Sequence, residues 1–416
     1  MKGKCYVFHN EKPSCSGCGA CAQICKQKAI AMETDEEGFL YPILNKDKCV
    51  GCGMCEKVCP YSIETANQRQ GQKQYVATTD SKSYYKESAT IGICTMLADY
   101  IISINGVVFG AYLDETDYVA YHVLVRDRYG VRDIRNSKYL QSDTRNTFTE
   151  ARSCLEKGVP VLYIGTPCEI AGLKSFLRKK YTNLYTIDLM CHGTFSPKLM
   201  RFEVEYWQSL FNGKIKNFRF RSKRKYKLSN GGMVNFDVVT ANGKKKHIER
   251  FAGSSPTYKC YTYSGDGHSY NLRPSCYSCV FKDKNRYGDI TIGDPWGVRM
   301  DIITEPSIKK TPAIRSLYMV NTVQGNNLLK EITHLLSSQE IPKEEAFKQG
   351  ALLPISLDVP PLRQRILKCA TLKEYVSLIE QHFGCNLEKE HVAFDKRYKR
   401  QYIKHLVKKY LHLNKR

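Results

Sequence analysis

The sequence predicts a multidomain protein of the α+β and α/β classes, and three observations along its 416 residues support this. A four-cysteine pattern occurs twice near the N-terminus. Alternating strand and helix patterns begin near Tyr75 and predict an α/β domain with parallel strands. The pattern from about Ser307 onward is mostly helical. These observations divide the chain into four predicted parts, residues 1–72, 73–158, 159–306 and 307–416.

The composition predicts a cytoplasmic protein whose cysteines bind metal. Hydrophobic residues make up 42% and charged residues 25%, as in ordinary soluble globular chains. The first ten residues lack the apolar stretch of a signal peptide, and no run of about 18 apolar residues occurs. Without an export signal, 18 cysteines are more often metal ligands than disulfides. Because oxygen damages thiolate sites, we expect an anaerobic host.

The formal charge of +23, from 64 basic and 41 acidic residues, predicts a basic surface. Such a surface could meet an acidic electron carrier, anionic lipid or nucleic acid. No recognised nucleic-acid motif accompanies the charge, so we expect no nucleic-acid partner.

The repeated cysteine pattern predicts two iron–sulfur clusters. Each copy has the spacing C-x2-C-x2-C-x3-C, first in residues 15–25 and again in residues 49–59. In bacterial-type dicluster ferredoxins, three closely spaced thiolates bind one [4Fe–4S] cluster and the fourth binds the other. We therefore predict that fold for the first part of the chain. The predicted ligands are Cys15, Cys18, Cys21 and Cys59 for the first cluster, and Cys49, Cys52, Cys55 and Cys25 for the second.

Zinc is the alternative for this pattern, because it also takes four thiolates. Zinc sites usually pair two separated C-x2-C motifs, so the longer run favours iron–sulfur. Six other cysteines show no ligand spacing and are interpreted as ordinary reduced thiols. They are Cys5, Cys94, Cys154, Cys260, Cys369 and Cys385.

The α/β portion is predicted from apolar periodicity and capping residues. Ser88 is expected to cap a helix that ends near Ser103. Ser196 and Pro197 fit the N-cap and first position of another helix. The other predicted elements are strands 75–79, 107–112, 120–126, 159–164, 184–190 and 289–293, and helices 145–157 and from 168 to about 179.

A second group of cysteines allows a third cluster. Cys168 and Cys191 each follow a predicted parallel strand, and the carboxyl ends of such strands meet at one crevice. Cys276 and Cys279 form a C-x2-C pair in a loop that could supply two more thiolates. The alternative is a set of buried structural cysteines beside an unrelated C-x2-C pair.

Five segments resemble the coenzyme F420 hydrogenase/dehydrogenase beta-subunit family, over roughly residues 75–300. They are GTPCEIAGLKSFL (165–177), IDLMCHGTFSPK (187–198), RPSCYSC (273–279), YGDITIGDPWG (287–297) and RNSKYLQSD (135–143). With the cysteine repeat in front, the chain is similar to bacterial members that fuse both parts. The second and third predicted parts would be the N- and C-terminal regions of such a subunit. Family members are flavoproteins that pass electrons between a cluster and a flavin.

The resemblance implies that the second cysteine group binds a [4Fe–4S] cluster and that FAD or FMN binds nearby. The implied flavin-binding residues are Gly92, Lys138, Tyr139, Gly165, Thr166 and Asp294. Lys138 could neutralise a phosphate, Tyr139 could lie against a ring, and the amides at Gly165 and Thr166 precede a helix N-terminus suited to anions. Lys138 and Tyr139 could instead form an ordinary loop. Asp294 could instead cap a turn, and we expect Trp296 in the core.

Ile91 departs from the family pattern, in which two adjacent glycines often follow serines at this point. A β-branched residue resists positive φ and blocks close backbone approach. We therefore expect flavin or substrate to bind differently or weakly beside Gly92. His192, next to a presumed ligand, is the candidate proton donor. Alternatively, it only forms a hydrogen bond with a sulfur or the backbone.

Residues 395–416 are predicted to form a basic amphipathic helix that lies on an anionic membrane surface, docks a partner, or packs on its own domain. Its apolar positions are Tyr398, Tyr402, Leu406, Tyr410 and Leu413.

The leading functional hypothesis is an oxidoreductase. A ferredoxin or flavodoxin-type donor would supply electrons, which would pass through the clusters to flavin and then to an organic two-electron acceptor. The acceptor could be a small molecule or a glycan-related compound, and coenzyme F420 is one possibility. The alternative is a non-catalytic electron-relay subunit.

Overall fold

The computed structural model describes residues 5–62, 72–221, 233–262, 264–283, 285–311, 315–348 and 358–393, with residues 396–397, 400, 403 and 407. The strands are β1 (Ile30–Thr34), β2 (Leu40–Leu44), β3 (Lys73–Thr78), β4 (Val107–Asp114), β5 (Val119–Val125), β6 (Ser142–Asp143), β7 (Val161–Gly165), β8 (Leu184–Leu189), β9 (Lys214–Arg219), β10 (Met233–Val239), β11 (Lys245–Phe251), β12 (Ile290–Gly293), β13 (Ser316–Val320) and β14 (Ser337–Ile341). The helices are α1 (Tyr6–His9), α2 (Ala20–Ile24), α3 (Met54–Lys57), α4 (Lys82–Glu87), α5 (Ile93–Ser103), α6 (Arg128–Ile134), α7 (Thr147–Glu156), α8 (Pro167–Leu177), α9 (Pro197–Phe211), α10 (Pro256–Tyr261), α11 (Pro274–Tyr277), α12 (Pro306–Lys310), α13 (Val323–Lys330), α14 (Lys343–Ala346), α15 (Pro361–Lys368) and α16 (Leu372–Phe383).

The chain divides into two compact units, each made of two separate segments. The first unit comprises Met1–Pro197 and Leu272–Val359, and the second comprises Lys198–Asn271 and Pro360–Arg416. In sequence, the first segment of the second unit is thus inserted between the two segments of the first unit, and the C-terminal segment of the chain forms the rest of the second unit.

The N-terminal part of the first unit repeats itself in backbone as well as in sequence. Gly19, at φ +75°, precedes α2, and Gly53, at φ +68°, precedes α3. Glycine adopts this left-handed conformation without a Cβ clash, so each chain segment can turn sharply into its helix. The antiparallel pair of β1 and β2 lies between the two copies.

A mixed sheet forms the centre of the first unit. In the described part of the chain its strand order is β14-β3-β13-β12-β8-β7-β4-β5-β6. The pairs β12/β8, β8/β7, β7/β4 and β5/β6 are parallel. The pairs β14/β3, β3/β13, β13/β12 and β4/β5 are antiparallel. The predicted parallel strands are thus confirmed for the middle of the sheet, but the sheet as a whole is mixed.

Both faces of this sheet are covered by apolar side chains. Val108 and Leu162 pack with α5 residues in one core cluster. Phe109 and Tyr163, their neighbours along the strands, pack with α7 and α8 residues in another. Successive strand residues point to opposite faces, which explains why these strands are apolar at almost every position.

One expectation about the elements is wrong, and a second is incomplete. Ser88 does not cap α5, because it ends α4, and Gly92 at φ +94° is the N-cap of α5. The predicted mostly helical region after residue 307 contains β13 and β14. Both pair with β3, so the sheet includes two strands that the local sequence pattern did not predict.

The second unit combines a three-stranded antiparallel sheet, in the order β11-β10-β9, with helices that include α10, α15 and α16. A Thr371–Glu374 capping box begins α16, and Gly384 at φ +56° ends it. Residues 387–393 are helical. The basic helix predicted for residues 395–416 lies almost entirely outside the described residues. Among the residues that are described, none belongs to a helix with the length and apolar character needed to cross a membrane.

Candidate metal centres and cofactor residues

The first predicted ligand set gathers around one cavity. Cys15, Cys18, Cys21 and Cys59 all line it, together with Gly17 and Gly19 and the segment from Pro60 to Tyr61. Burial raises the pKa of Cys18 to about 12, and the nearby thiols of Cys59 and Cys15 add to the rise. Four thiols drawn from both cysteine repeats therefore face the same space.

Backbone amides point at these sulfurs. The N–H groups of Gly17, Ala20 and Ala22 lower the pKa of Cys15, Cys18 and Cys21, respectively, and thereby oppose the effect of burial. Amides aimed at a thiolate stabilise its negative charge.

The second predicted ligand set is more open to solvent. Cys52 is exposed, whereas Cys25, Cys49 and Cys55 are partly buried. Burial raises the pKa of Cys55, and the thiols of Cys25 and Cys52 add to the rise, so these three lie near one another. The N–H of Ala29 donates to Cys25 Sγ over 3.3 Å.

The third predicted ligand set also comes together. Cys168 lies in the first turn of α8, Cys191 follows β8, Cys276 lies in α11, and Cys279 follows it. Burial raises the pKa of Cys168 well above its usual range, with Glu169, Cys279 and Cys191 adding to the rise. Burial likewise raises the pKa of Cys191 to about 12, with the thiols of Cys276 and Cys279 contributing.

Lys282 is a cation at the third set that the sequence did not indicate. It is 4% exposed, and its Nζ donates to the carbonyl oxygen of His192 over 2.6 Å. Its charge opposes the rise in the pKa of Cys191 and Cys279. A buried ammonium beside several thiols favours their ionised form.

The donor chemistry of all three sets fits [4Fe–4S] clusters, each of which takes four thiolates. A single zinc ion would need three or four ligands around one point. Within the described ranges, no three His, Cys, Asp or Glu side chains are arranged to hold one metal ion. Each of the three sets supplies four cysteine thiols, the number of thiolates that a [4Fe–4S] cluster takes.

Cys5 lies beside the first set, although its sequence position indicated an ordinary thiol. It is 1% exposed and lines the same cavity. A hydrogen bond between the Cys5 and Cys59 thiols raises the pKa of Cys5 and holds that of Cys59 below its usual range. No ligand spacing could have found it, because it precedes the first motif by ten residues.

Ile91 and Gly92 are part of the protein interior. Ile91 is 0% exposed in the core cluster that contains α5, and its N–H donates to Ser316 Oγ over 3.4 Å. A Cβ on Gly92 would lie 3.0 Å from Ser88 Oγ and from Tyr84 Cβ. Packing and the positive φ both explain a glycine at position 92.

Lys138 and the residues after it contact protein groups. Lys138 Nζ donates to the carbonyl oxygens of Arg135 and Asp133 over 2.7 and 3.4 Å, at the end of α6. The Tyr139 carbonyl accepts from the N–H of Phe195 over 3.1 Å.

Gln141, in the same segment, contacts the N-terminal cysteine module, since its Oε1 accepts from the Leu40 N–H over 2.9 Å. Thr144 Oγ1 donates to the carbonyl of Cys18 over 2.8 Å. Part of the segment that resembles the family therefore holds the N-terminal module in place.

The turn before α8 satisfies its own amides. Thr166 N–H donates to the Glu169 carboxylate over 2.7 Å, within a capping box that starts the helix. Thr166 Oγ1 lies 3.1 Å from Cys168 Sγ. A Cβ on Gly165 would lie 2.9 Å from Glu169 Oε2, so glycine permits this close packing.

Asp294 accepts a hydrogen bond from Trp296 Nε1 over 3.1 Å. Trp296 is 53% exposed, so the expectation that it belongs to the core is wrong. Trp296 follows the last residue of β12, Gly293, by three positions.

Two family models match parts of this chain. Residues 159–343 match the model for the C terminus of the coenzyme F420 hydrogenase/dehydrogenase beta subunit. Residues 14–63 match the model described as a 4Fe-4S dicluster domain. No curated protein matches the chain.

Among solved structures, the F420-reducing [NiFe] hydrogenase complex from Methanosarcina barkeri contains a similar chain, at 17% sequence identity and a TM-score of 0.43. The match covers 77% of this chain and 94% of that one.

Proposed function

Because this chain joins a 4Fe-4S dicluster domain to a C-terminal region of the coenzyme F420 hydrogenase/dehydrogenase beta-subunit family, we propose that it is an iron–sulfur flavoprotein oxidoreductase. It would take electrons from a ferredoxin or flavodoxin-type donor and deliver them through three [4Fe–4S] clusters to a flavin. An organic two-electron acceptor would then be reduced.

One observation carries the proposal. Three sets of four thiols, each drawn from segments distant in sequence, lie in the same structural unit. Besides burial, thiols within each set raise one another's pKa: Cys18, Cys15 and Cys59 that of Cys21, Cys25 and Cys52 that of Cys55, and Cys276 and Cys279 that of Cys191. Each cluster, when bound, would accept and release one electron.

The exposed second set is the proposed point of electron entry. Cys52 is exposed, and the neighbouring Val50 is 66% exposed. Within three residues of the second-set cysteines along the chain, five exposed lysines outnumber two exposed acids, Asp47 and Glu56. The lysines are Lys26, Lys28, Lys46, Lys48 and Lys57. A basic rim of this kind attracts an acidic electron carrier at low ionic strength.

Flavin binding is proposed on the basis of the family resemblance. Gly92, Asp294 and the Gly165–Thr166 turn would line its site. Of these groups, the Thr166 N–H already serves Glu169, so a flavin phosphate would need another donor. His192, directly after Cys191, would hold the proton that a hydride acceptor needs.

A non-catalytic relay subunit is the second candidate. The close packing of Ile91 and Gly92 favours it. Ile91 is fully buried, and the space beside Gly92 is occupied by the side chains of Ser88 and Tyr84. Such a chain would bind clusters and transfer electrons without turning over an acceptor by itself.

Anaerobic purification with iron counting tests the relay. Three occupied sets predict about twelve irons per chain. The double variant Cys276→Ser, Cys279→Ser should retain about eight, since only the third set loses ligands. The control Cys154→Ala removes a buried cysteine outside all three sets and should leave the count unchanged. Fewer than about eight irons in the unsubstituted protein would contradict the proposal.

Flavin reconstitution separates the two candidates. If the chain is an oxidoreductase, it should bind FAD or FMN. A reduced ferredoxin-type donor should then bleach the absorbance of the bound flavin. A protein with full clusters that binds neither flavin is the relay subunit.

A further inference from the structure

A buried arginine contacts the backbone of the first thiol set. Arg273 is 1% exposed, and its Nε donates to the carbonyl oxygen of Cys15 over 2.8 Å. Its Nη2 donates to the carbonyl oxygen of Leu40 over 3.0 Å. The remaining Nη1 is buried without a hydrogen-bond partner among the described residues. A Cβ on Gly17 would lie 3.2 Å from that nitrogen, which places it against the loop that carries Cys15 and Cys18.

The positive charge of Arg273 has no carboxylate partner among the ion pairs of the described residues. Besides the two carbonyl oxygens, the ring of Tyr41 stabilises the charge, since its centroid lies 4.0 Å from Cζ. Burying an unpaired charge is costly, so an anion is expected nearby. Since the guanidinium lies against the loop that carries Cys15 and Cys18, a cluster held by the first set would supply that negative charge.

Arg273 is also joined to the third thiol set. It is the N-cap of α11, and its carbonyl accepts from the N–H of Cys276 over 2.9 Å. The helix α11 packs against the turn Lys12–Ser14, which directly precedes Cys15. The same few residues therefore hold ligands of the first and third sets.

Tyr61 provides a second contact between these two sets. Tyr61, Ala171 and Phe281 form a buried cluster, and Tyr61 meets Phe281 edge to face at 5.1 Å between centroids. Cys59 of the first set packs against this cluster, and so do Cys168 and Cys279 of the third.

We propose that Arg273 is a positioning residue that makes the cluster of the first set easier to reduce than that of the second, so that electrons collect on the first set, which adjoins the third. The inference rests on the proposed function. Reduction by one electron takes a [4Fe–4S] cluster with four thiolates from a charge of about −2 to about −3. The fixed positive charge of Arg273 stabilises the more negative state, and no bond or proton changes. The electron comes from the second cluster and leaves to the third.

Redox titration monitored by electron paramagnetic resonance tests the inference in the full chain. Arg273→Gln should make one N-terminal cluster at least tenfold harder to reduce, which is a shift of about 59 mV for a one-electron couple. Arg273→Lys keeps the charge, so its potential should differ from that of the unsubstituted protein by less than half of the shift in Arg273→Gln.

Lys12→Gln is the matched control. Lys12 Nζ lies 5.6 Å from the centroid of the same Tyr41 ring, but it forms ion pairs with Asp35 and Glu36, both at 2.8 Å. Its charge is already neutralised and partly exposed, so the potentials should move far less than in Arg273→Gln. Equal shifts in the two variants, or no shift in Arg273→Gln with full iron, would overturn the inference.

A second measurement does not depend on whether Arg273→Gln assembles. Cys52→Ser alters only the second set, so its changed or missing signal identifies that cluster. When Cys276→Ser and Cys279→Ser also remove the third cluster, the one signal that persists belongs to the first cluster, and it should titrate at a higher potential than the signal assigned to the second. The opposite order would contradict the role of Arg273, whereas fewer than about eight irons in the unsubstituted chain would contradict the proposed function itself.

Discussion

Asp188 and Arg286 form an ion pair from which solvent is excluded, with 3.3 Å between Oδ2 and Nη2. The guanidinium also donates to the carbonyl oxygen of Leu189 over 3.1 Å, and Thr291 donates its hydroxyl to Asp188. The N–H of Tyr287 donates to Asp188 over 3.1 Å. These contacts tie β8 to β12 next to the position at which Cys191 leaves the sheet.

Arg286→Met should lower the free energy of unfolding by about 3–5 kcal/mol, because it leaves the Asp188 charge buried and unpaired. Denaturant unfolding followed by circular dichroism measures the change. The control Lys73→Gln breaks an exposed pair with Glu340, at 3.1 Å, and should cost at most about 1 kcal/mol. Similar losses in both variants would mean that the buried pair has no special role.

Gly172 lies in α8, where a Cβ would stand 2.8 Å from Cys18 Sγ and 2.9 Å from Cys18 Cβ. In an exposed helix, Gly→Ala stabilises by about 1 kcal/mol, but here the added methyl meets a predicted cluster ligand. We expect Gly172→Ala to destabilise the protein by about 1–3 kcal/mol and to reduce occupancy of the first cluster. Ser175→Ala, on the same helix, is the control and should retain full iron. Full occupancy in Gly172→Ala would show that Cys18 can move aside.

Glu203 is fully buried in the second unit, where Trp207 Nε1 donates to it over 2.7 Å and Thr257 N–H over 3.3 Å. Burial raises the pKa of its carboxyl from 4.5 to about 7. The folded chain therefore holds this proton more tightly than the unfolded chain does. Its stabilising contribution is complete below about pH 4.5 and is lost as the pH rises through about 7.

The free energy of unfolding should accordingly fall by up to about 3 kcal/mol between pH 4.5 and pH 7 on account of Glu203. Glu203→Gln cannot titrate, so its stability should depend less steeply on pH over that window. Denaturant unfolding of both proteins at matched pH values measures the difference in slope. Parallel pH profiles would show that Glu203 is ionised throughout.

The cysteine pattern predicted more of the site than any other feature. The spacing of Cys15, Cys18 and Cys21 indicated one ligand set, and the displaced Cys59 completed it across the repeat. The structure brings these four cysteines to one cavity, and cluster geometry constrains the spacing of ligands within a short loop. Cys5 carries no such constraint, and its place beside Cys59 depends on how the N-terminal helix packs.

Other expectations failed where distant segments meet. Ser88 carries a good capping side chain, but Gly92 starts α5 because only a left-handed turn fits there. Trp296 is a large aromatic residue, yet it is exposed in the turn after β12, where its Nε1 donates to Asp294. Local propensity is a weak predictor wherever tertiary packing decides the outcome.

The sequence alone determined the repeated N-terminal cysteine module and the parallel strands at the centre of the sheet, because each leaves a local signature in spacing or periodicity. Only the tertiary structure decided that β13 and β14 complete the sheet, that Lys282 and Arg273 are buried beside thiols, and that Gln141 holds the N-terminal module. Those facts depend on contacts between residues more than a hundred positions apart, or on burial that no local pattern records.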